Sequence, residues 1–174
     1  AMSSRIKDTM NRIGLGKLTY LGIALKQLIT ARKVSCTLTV EDKVHGIRES
    51  LELPRFLFVT CMSHRYEGGG FMFCPSAVDH DGVLDLCSVG NISKGLVLLA
   101  LPTAFFGKHY FVKGIDAYTA TQMSIHTSAP LWVHTDGEVT RKSRGFRVEC
   151  LPGAIRMITP QTTGTHSEDF LKNA

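Results

Sequence analysis

The apolar positions of this chain change period near residue 34, and that change limits the fold more than any single motif. Ahead of it, Leu18, Leu21, Leu25, Leu28 and Ile29 recur at spacings of three and four, with Lys17, Lys26 and Gln27 on other faces. This is the stripe of an amphipathic helix, expected over residues 4–31. Gly14 and Gly16 divide it into a short helix, a turn and a longer helix. Beyond it the period falls to two. Residues 35–40 alternate as a half-buried strand does, and 55–62 (RFLFVTCM) read as a central strand. Residues 83–89 alternate again, 93–109 return to helical spacing, and 117–127, 131–135, 146–151 and 154–158 read as four further short strands. The Pro152-Gly153 pair marks a tight turn between the last two. Six or seven short strands with two helical insertions imply a mainly β, α+β chain, an antiparallel β-sandwich with helices packed at one end.

Length and composition fit that reading. The chain has 174 residues, 44% of them hydrophobic and 20% charged, as expected of one ordinary globular domain with a sizeable core. Its longest apolar run, 95–106, is interrupted by Pro102 and falls short of the roughly 18 residues a membrane span needs. No secretory leader is expected, because the first residues are polar and basic without an apolar core behind them. Five cysteines at wide, irregular spacing signal neither a disulfide framework nor a zinc site, and a reducing, cytoplasmic setting is the simplest expectation. The net charge of +5 is concentrated near the start, at residues such as Arg12, Lys17, Lys26 and Arg32, and again at Arg141, Lys142, Arg144 and Arg147. Such patches attract anionic membranes or nucleic acid; the plainer reading is a solvated helix face.

Three local features carry candidate chemistry. The triplet Gly68–Gly70 departs from a phosphate loop, since Phe71-Met72-Phe73 and Pro75 follow it where a helix N-terminus is required. A close-packed bend between strands is the expected use. Asp79, Asp81 and Asp85 around Gly82 fail the EF-hand template, which would place Val83 and Gly90 at ligand positions. A weaker site remains, with Asp81, backbone carbonyls and water around Mg²⁺ or Ca²⁺, beside the alternative of a metal-free Asp-Gly turn. Asp136 and Glu138 flank Gly137, so an extended backbone would project both carboxylates from one side. They could raise each other's pKa, share a metal, or serve as base and orienter; a solvated Asp-Gly turn is equally compatible. The seven histidines show no zincin spacing, and no Gly-x-Ser-x-Gly elbow occurs.

Taken in order, Arg12–Tyr20 (RIGLGKLTY), the Gly68–Leu86 stretch with its Gly-Gly-Gly, Pro and Asp-Gly-x-Leu-Asp-Leu, Asn91–Lys94 (NISK) and Asp-Gly-Glu at 136–138 form a pattern. It resembles the C-terminal domain of the diacylglycerol-kinase-like lipid kinases, which include bacterial diacylglycerol kinases and sphingosine kinases. The resemblance spans residues 12–160, nearly the whole chain. It implies the second domain of a two-domain lipid kinase fold, a β-sandwich over residues 1–160 followed by a polar tail, 161–174. The first domain of that family carries a Gly-Gly-Asp-Gly nucleotide loop, a motif found nowhere in these residues. The resemblance thus implies ATP bound mainly by an N-terminal domain supplied in cis or in trans, and a fragment not competent alone. It makes Glu138 the general base on a diacylglycerol-like hydroxyl, with Asp136 holding catalytic Mg²⁺ or orienting the base. It makes Asp81, with the carbonyls of Val78 and Val83, the ligands of a structural Mg²⁺. The expected partners are a lipid substrate and an anionic membrane, touched peripherally at its inner surface, and no nucleic acid. An unpaired interdomain face could also drive homodimer formation. One departure is local: Ser63-His64 stand where family members often carry asparagine. The rival expectation is a stand-alone module binding lipid or an acidic partner without kinase activity.

Overall fold

The computed structural model describes residues 28–67, 70–136 and 138–155, together with 22, 25 and 26. The described fold is mainly β. Its strands are β1 (Val34–Asp42), β2 (Ile47–Met62), β3 (Leu84–Gly90), β4 (Ile115–Ala120), β5 (Gln122–Thr135) and β6 (Glu138–Glu149). A helix, α1 (Lys94–Ala100), and two 3₁₀ turns, Leu101–Phe106 and His109–Phe111, lie between β3 and β4. The strand order is β4-β3-β2-β1-β5-β6, with every neighbouring pair antiparallel. Residues 22, 25, 26 and 28–30 are helical. Ala31, the last residue of the expected N-terminal helix, is not helical, and the remainder of that helix lies outside the described residues, as does the polar tail.

One strand makes this sheet sandwich-like. The first part of β2 pairs with β1, from Asp42↔Ile47 to Val34↔Phe56, and its last part pairs with β3, from Phe56↔Gly90 to Met62↔Asp85. Between them the register shifts, and Pro54 sits at that irregularity. Proline has no N–H for the ladder, so a bulge is where a long strand tolerates one. The strand turns a corner there and carries the chain from one layer to the other. At the far corner the chain passes from β4 to β5 through Thr121 alone. Its amide and hydroxyl both donate to the Glu41 carbonyl, at 3.0 Å each, and its own carbonyl accepts from the Cys150 amide at 2.9 Å. Strand β4 therefore lies against β1, although β3 and β2 separate them in the ladder. The expected single strand over 117–127 is in fact two, divided at this crossing.

The inner core lies between the layers and includes Cys36, Leu38, Phe56, Leu86, Met123 and Ile125, each 4% exposed or less. A second cluster, with Leu57, Cys74, Cys87, Val89, Ile92 and Val97, fills the outer side of β3 and β2 under α1. All seven residues of β3 are buried, because it has a core on each face. Both clusters are stabilised by transfer of apolar surface from water, about 1.5–3 kcal/mol per fully buried large side chain.

The insertion is helical only in part. Ser93 caps α1, its Oγ accepting from the Leu96 amide at 3.2 Å. Pro102 then removes a donor from the ladder, and the chain tightens into 3₁₀ geometry until Gly107 ends it at φ +65°. A Cβ on Gly107 would stand 3.0 Å from both Met72 Sδ and Pro75 Cβ, so this turn has room for glycine alone. Of the last expected strand, Ala154 and Ile155 belong to no strand and the rest lies outside the described residues. The turn at Pro152-Gly153 is present, with Gly153 at φ +68°.

Candidate active site

Of the glycine triplet only Gly70 is among the described residues, and it lies in a short loop between Glu67 and Phe71. Glu67 and Phe71 exchange both backbone hydrogen bonds, 2.8 Å from the Glu67 amide and 3.1 Å from the Phe71 amide. Gly70 sits at φ +93°, which favours glycine, and is exposed with open space where a Cβ would be. The expected close-packed bend is thus corrected: backbone angle, not crowding, demands glycine at Gly70. Phe71-Met72-Phe73 is likewise not a strand beyond the single Glu67↔Phe71 bridge. Its rings anchor the loop instead. Phe71 stacks on Phe105 with centroids 4.3 Å apart and on Phe73 at 5.6 Å, and the Met72 amide donates to the Ala104 carbonyl at 2.8 Å.

Asp136 and Glu138 stand at the tip of the β5–β6 hairpin. Thr135 pairs with Glu138, so Asp136 and Gly137 form a two-residue connection, and Asp136 adopts φ +48°. Asp136 supplies one of the positive φ angles that such a hairpin turn requires. Both carboxylates are exposed. The hairpin bears two irregularities, one between His126 and Leu131 that contains Pro130 and one between Val133 and His134. Beyond the first, it extends past β1 as a two-stranded arm. His134 on this arm lies 3.9 Å, Nε2 to Oε1, from Glu67 beside the glycine triplet. The fold thus brings together two motifs that are far apart in sequence.

Asp81 is elsewhere, at the foot of β6 while Glu138 is at its head. Asp81 Oδ1 accepts from the Val83 amide at 3.1 Å across Gly82, whose φ is +81° and whose Cα faces Pro152 at 3.4 Å from an added Cβ. Beside it, His80 Nδ1 hydrogen-bonds Asp79 Oδ1 at 2.7 Å and holds that carboxyl below its usual range. The observed geometry is that of an Asx turn, with Oδ1 engaged by the Val83 N–H; a hard cation here would have to draw on the other carboxylate oxygen, backbone carbonyls and water. Among the described residues no three His, Cys, Asp or Glu side chains gather as a metal site, so backbone and water would complete the shell.

Residues 1–159 match the family model described as the YegS C-terminal NAD kinase beta sandwich-like domain. The chain belongs to that family. A protein named "Diacylglycerol kinase" from Mycobacterium tuberculosis is 27% identical over 161 residues, covering 91% of this chain and 49% of that protein. A protein named "Probable lipid kinase YegS-like" from Xanthomonas euvesicatoria is 35% identical over 148 residues, covering 84% of this chain and 45% of that one. In fold, the chain is similar to the crystal structure of a diacylglycerol kinase from Bacillus anthracis, with a TM-score of 0.54 at 23% identity over 84% of this chain and 47% of that one. This YegS-type domain therefore spans about half the length of the relatives it matches. No described helix is long and apolar enough to cross a membrane.

Sequence reasoning left Asp85 without a role and overlooked His109. Both hold the segment beneath the glycine loop. Asp85 is buried on β3 and accepts from Ser76 Oγ at 2.8 Å. The signal was an acid inside an otherwise apolar strand. His109, 3% exposed, has Nε2 3.2 Å from the Phe73 carbonyl and 3.6 Å from Cys87 Sγ. A carbonyl only accepts, so Nε2 carries the proton and Nδ1, which has no partner among the described residues, does not. Burial holds this imidazole below its ordinary pKa and therefore neutral. Tyr110 donates to the same carbonyl at 2.6 Å.

The thiols around this segment are inert. Burial pushes Cys36 and Cys74 up to about 11, and Cys61 and Cys87 up to about 12. At pH 8 an aromatic disulfide reagent is expected to label the buried Cys36, Cys74 and Cys87 only as fast as the protein unfolds, and the half-buried Cys150 and Cys61 before them. From an ordinary value of 9.0 the unfolded thiols lose protons that the folded ones keep. The stability these groups contribute is thus complete below pH 9 and falls as pH rises towards 11–12. Melting curves at pH 8 and at alkaline pH check the sign.

Proposed function

We propose that this chain is the substrate-side domain of an ATP-dependent lipid kinase that phosphorylates a lipid hydroxyl, such as that of diacylglycerol. The observation that carries the reading is the exposed Asp136–Glu138 tip of a hairpin whose His134 comes within 3.9 Å of Glu67, next to the glycine triplet. Glu138 accepts the proton of the attacking hydroxyl. Asp136, one residue before Gly137 on the same tip, orients that base or holds catalytic Mg²⁺. Bound Mg²⁺ supplies charge neutralisation at the phosphates, the largest need in phosphoryl transfer. The nucleotide is held mainly by an N-terminal domain, in cis or in trans, and without that domain the chain is not a competent kinase. The names of the relatives, and the half of their length that lies beyond the match, support this division. The protein acts at the cytoplasmic surface of the inner membrane, where such a lipid is presented.

The test is phosphorylation of diacylglycerol by the full-length protein with and without the Glu138 carboxylate. If the intact protein transfers phosphate to no lipid hydroxyl, the reading fails.

In the same reading, Asp81 and the carbonyls of Val78 and Val83 hold a structural Mg²⁺. Mg²⁺ at a hundredfold excess over its Kd should then stabilise the fold by about 2.7 kcal/mol. Asp81→Asn should abolish that gain in a thermal melt while leaving the metal-free melting temperature nearly unchanged. An equal response in both proteins returns Asp81 to a plain Asx turn.

A further inference from the structure

We infer that the buried, uncharged His109 positions the loop between Glu67 and Phe71, and that acid releases this loop. The hold passes through one carbonyl. From the second 3₁₀ turn, His109 Nε2 and the Tyr110 hydroxyl both donate to the Phe73 carbonyl, at 3.2 and 2.6 Å. The His109 ring also meets the Phe73 ring edge-on, with centroids 6.1 Å apart. Phe73 stacks on Phe71, and Phe71 on Phe105 of the first 3₁₀ turn. Phe71 in turn closes the loop through its paired backbone bonds with Glu67. A continuous path thus runs from one buried ring to the loop that His134 of the arm approaches.

The hold lasts only while the imidazole is neutral. Its one proton is on Nε2, so a second has to enter at Nδ1, which is buried and meets no acceptor among the described residues. The titratable groups packed around this turn offer no compensating charge. Cys87 on β3, Cys74 beside Phe73 and Tyr110 on the turn itself are all kept protonated by burial. Asp85 and Glu67 act on Cys74, and Asp116 of β4 acts on Cys87, but no carboxylate acts on the imidazole. Lys108 and Lys113 flank the turn and are exposed. An imidazolium in this place therefore favours the form in which the turn and Phe73 part and water reaches the ring. Burial lowers the folded value, so the stability of the closed form is complete above the ordinary histidine value of 6.5 and falls as pH drops below it.

What the release regulates, the transfer site at the tip of the arm, rests on the lipid-kinase reading; the release itself does not. The experiment is therefore run on the 174-residue chain without ATP or lipid. Hydrogen exchange is followed by NMR at the Phe71 and Met72 amides, which donate to the Glu67 and Ala104 carbonyls. Corrected for the intrinsic rate at each pH, their protection should fall by up to about tenfold per pH unit below 6.5. Amides of β1 and β3 should stay better protected throughout, which marks the opening as local. His109→Gln keeps a donor for the Phe73 carbonyl but takes up no proton, so the pH dependence should flatten. This variant also separates His109 from His134, which faces the same loop at Glu67. Tyr110→Phe removes the other donor and keeps the imidazole, so protection should be lower at every pH with the slope retained. Protection independent of pH in the parent overturns the proposal. So does protection equal to that of the β1 and β3 amides, an unchanged slope in His109→Gln, or a lost slope in Tyr110→Phe. If His109→Gln does not fold, the parent and Tyr110→Phe decide by the same criteria. Failure here leaves the phosphorylation assay standing, and failure of that assay leaves the exchange result standing.

Discussion

Glu138→Gln in the full-length protein is expected to lower kcat for lipid phosphorylation by about 10²–10⁴-fold, the range contributed by a positioned general base. Glutamine keeps the size and hydrogen-bonding reach of the side chain but cannot take a proton at neutral pH. The loss should therefore appear in kcat, while KM for ATP and for the lipid stays near its original value. A structural role predicts a different pattern. Glu138 is exposed at a hairpin tip and opposite Thr135, so its amide variant should leave the melting temperature unchanged. Phosphorylation at a comparable rate, with lipid still bound, would remove Glu138 from the chemistry.

Phe56→Ala should cost about 3–5 kcal/mol, the range for truncating a large buried aromatic. Phe56 is 1% exposed in the inner core and is the residue at which β2 changes partners, facing Val34 on β1 and Gly90 on β3. The cavity would open at the corner, where neither layer can close over it without moving the other. For a domain of this size each kcal/mol lowers Tm by about 2–4 °C. Leu99→Ala, at an exposed site on α1, serves as the control and should stay within about 0.5 kcal/mol. A Phe56 variant that melts with the control would mean that the corner does not tie the layers together.

How much of this was legible depended on where burial alternates. Residues 35–40 and 83–89 were recognisable as strands because one or both of their faces are packed. The first part of β2 (IRESLELP) was missed. It faces water along most of its length and carries Pro54, which ordinarily argues against a strand and is accommodated here by a bulge. The first part of β6 (EVTRKSRG) was missed for a related reason. The arm is exposed from Glu138 to Lys142, so no period of two is imposed on its sequence. In the site, the Asp-Gly turn at 136–137 was readable from its own chemistry. The neighbourhood of Glu67 and His134 was not, because sequence spacing says nothing about a contact made by a bent arm reaching back to a loop. The aromatic run after the glycines misled for a physical reason: Phe71 and Phe73 are apolar because they stack beneath a loop, not because they line a strand.

The corner in β2 has a consequence for how the domain comes apart. A sandwich joined only by loops can lose one sheet while the other persists. Here a single backbone carries hydrogen-bond ladders in both layers, and Thr121 fastens the opposite corner to β1 and to Cys150. Neither layer keeps its register once the other has melted, so opening one opens both. The two halves are therefore expected to share one cooperative transition, with coincident melting curves by near- and far-UV circular dichroism, and separate transitions would show that one layer persists without the other.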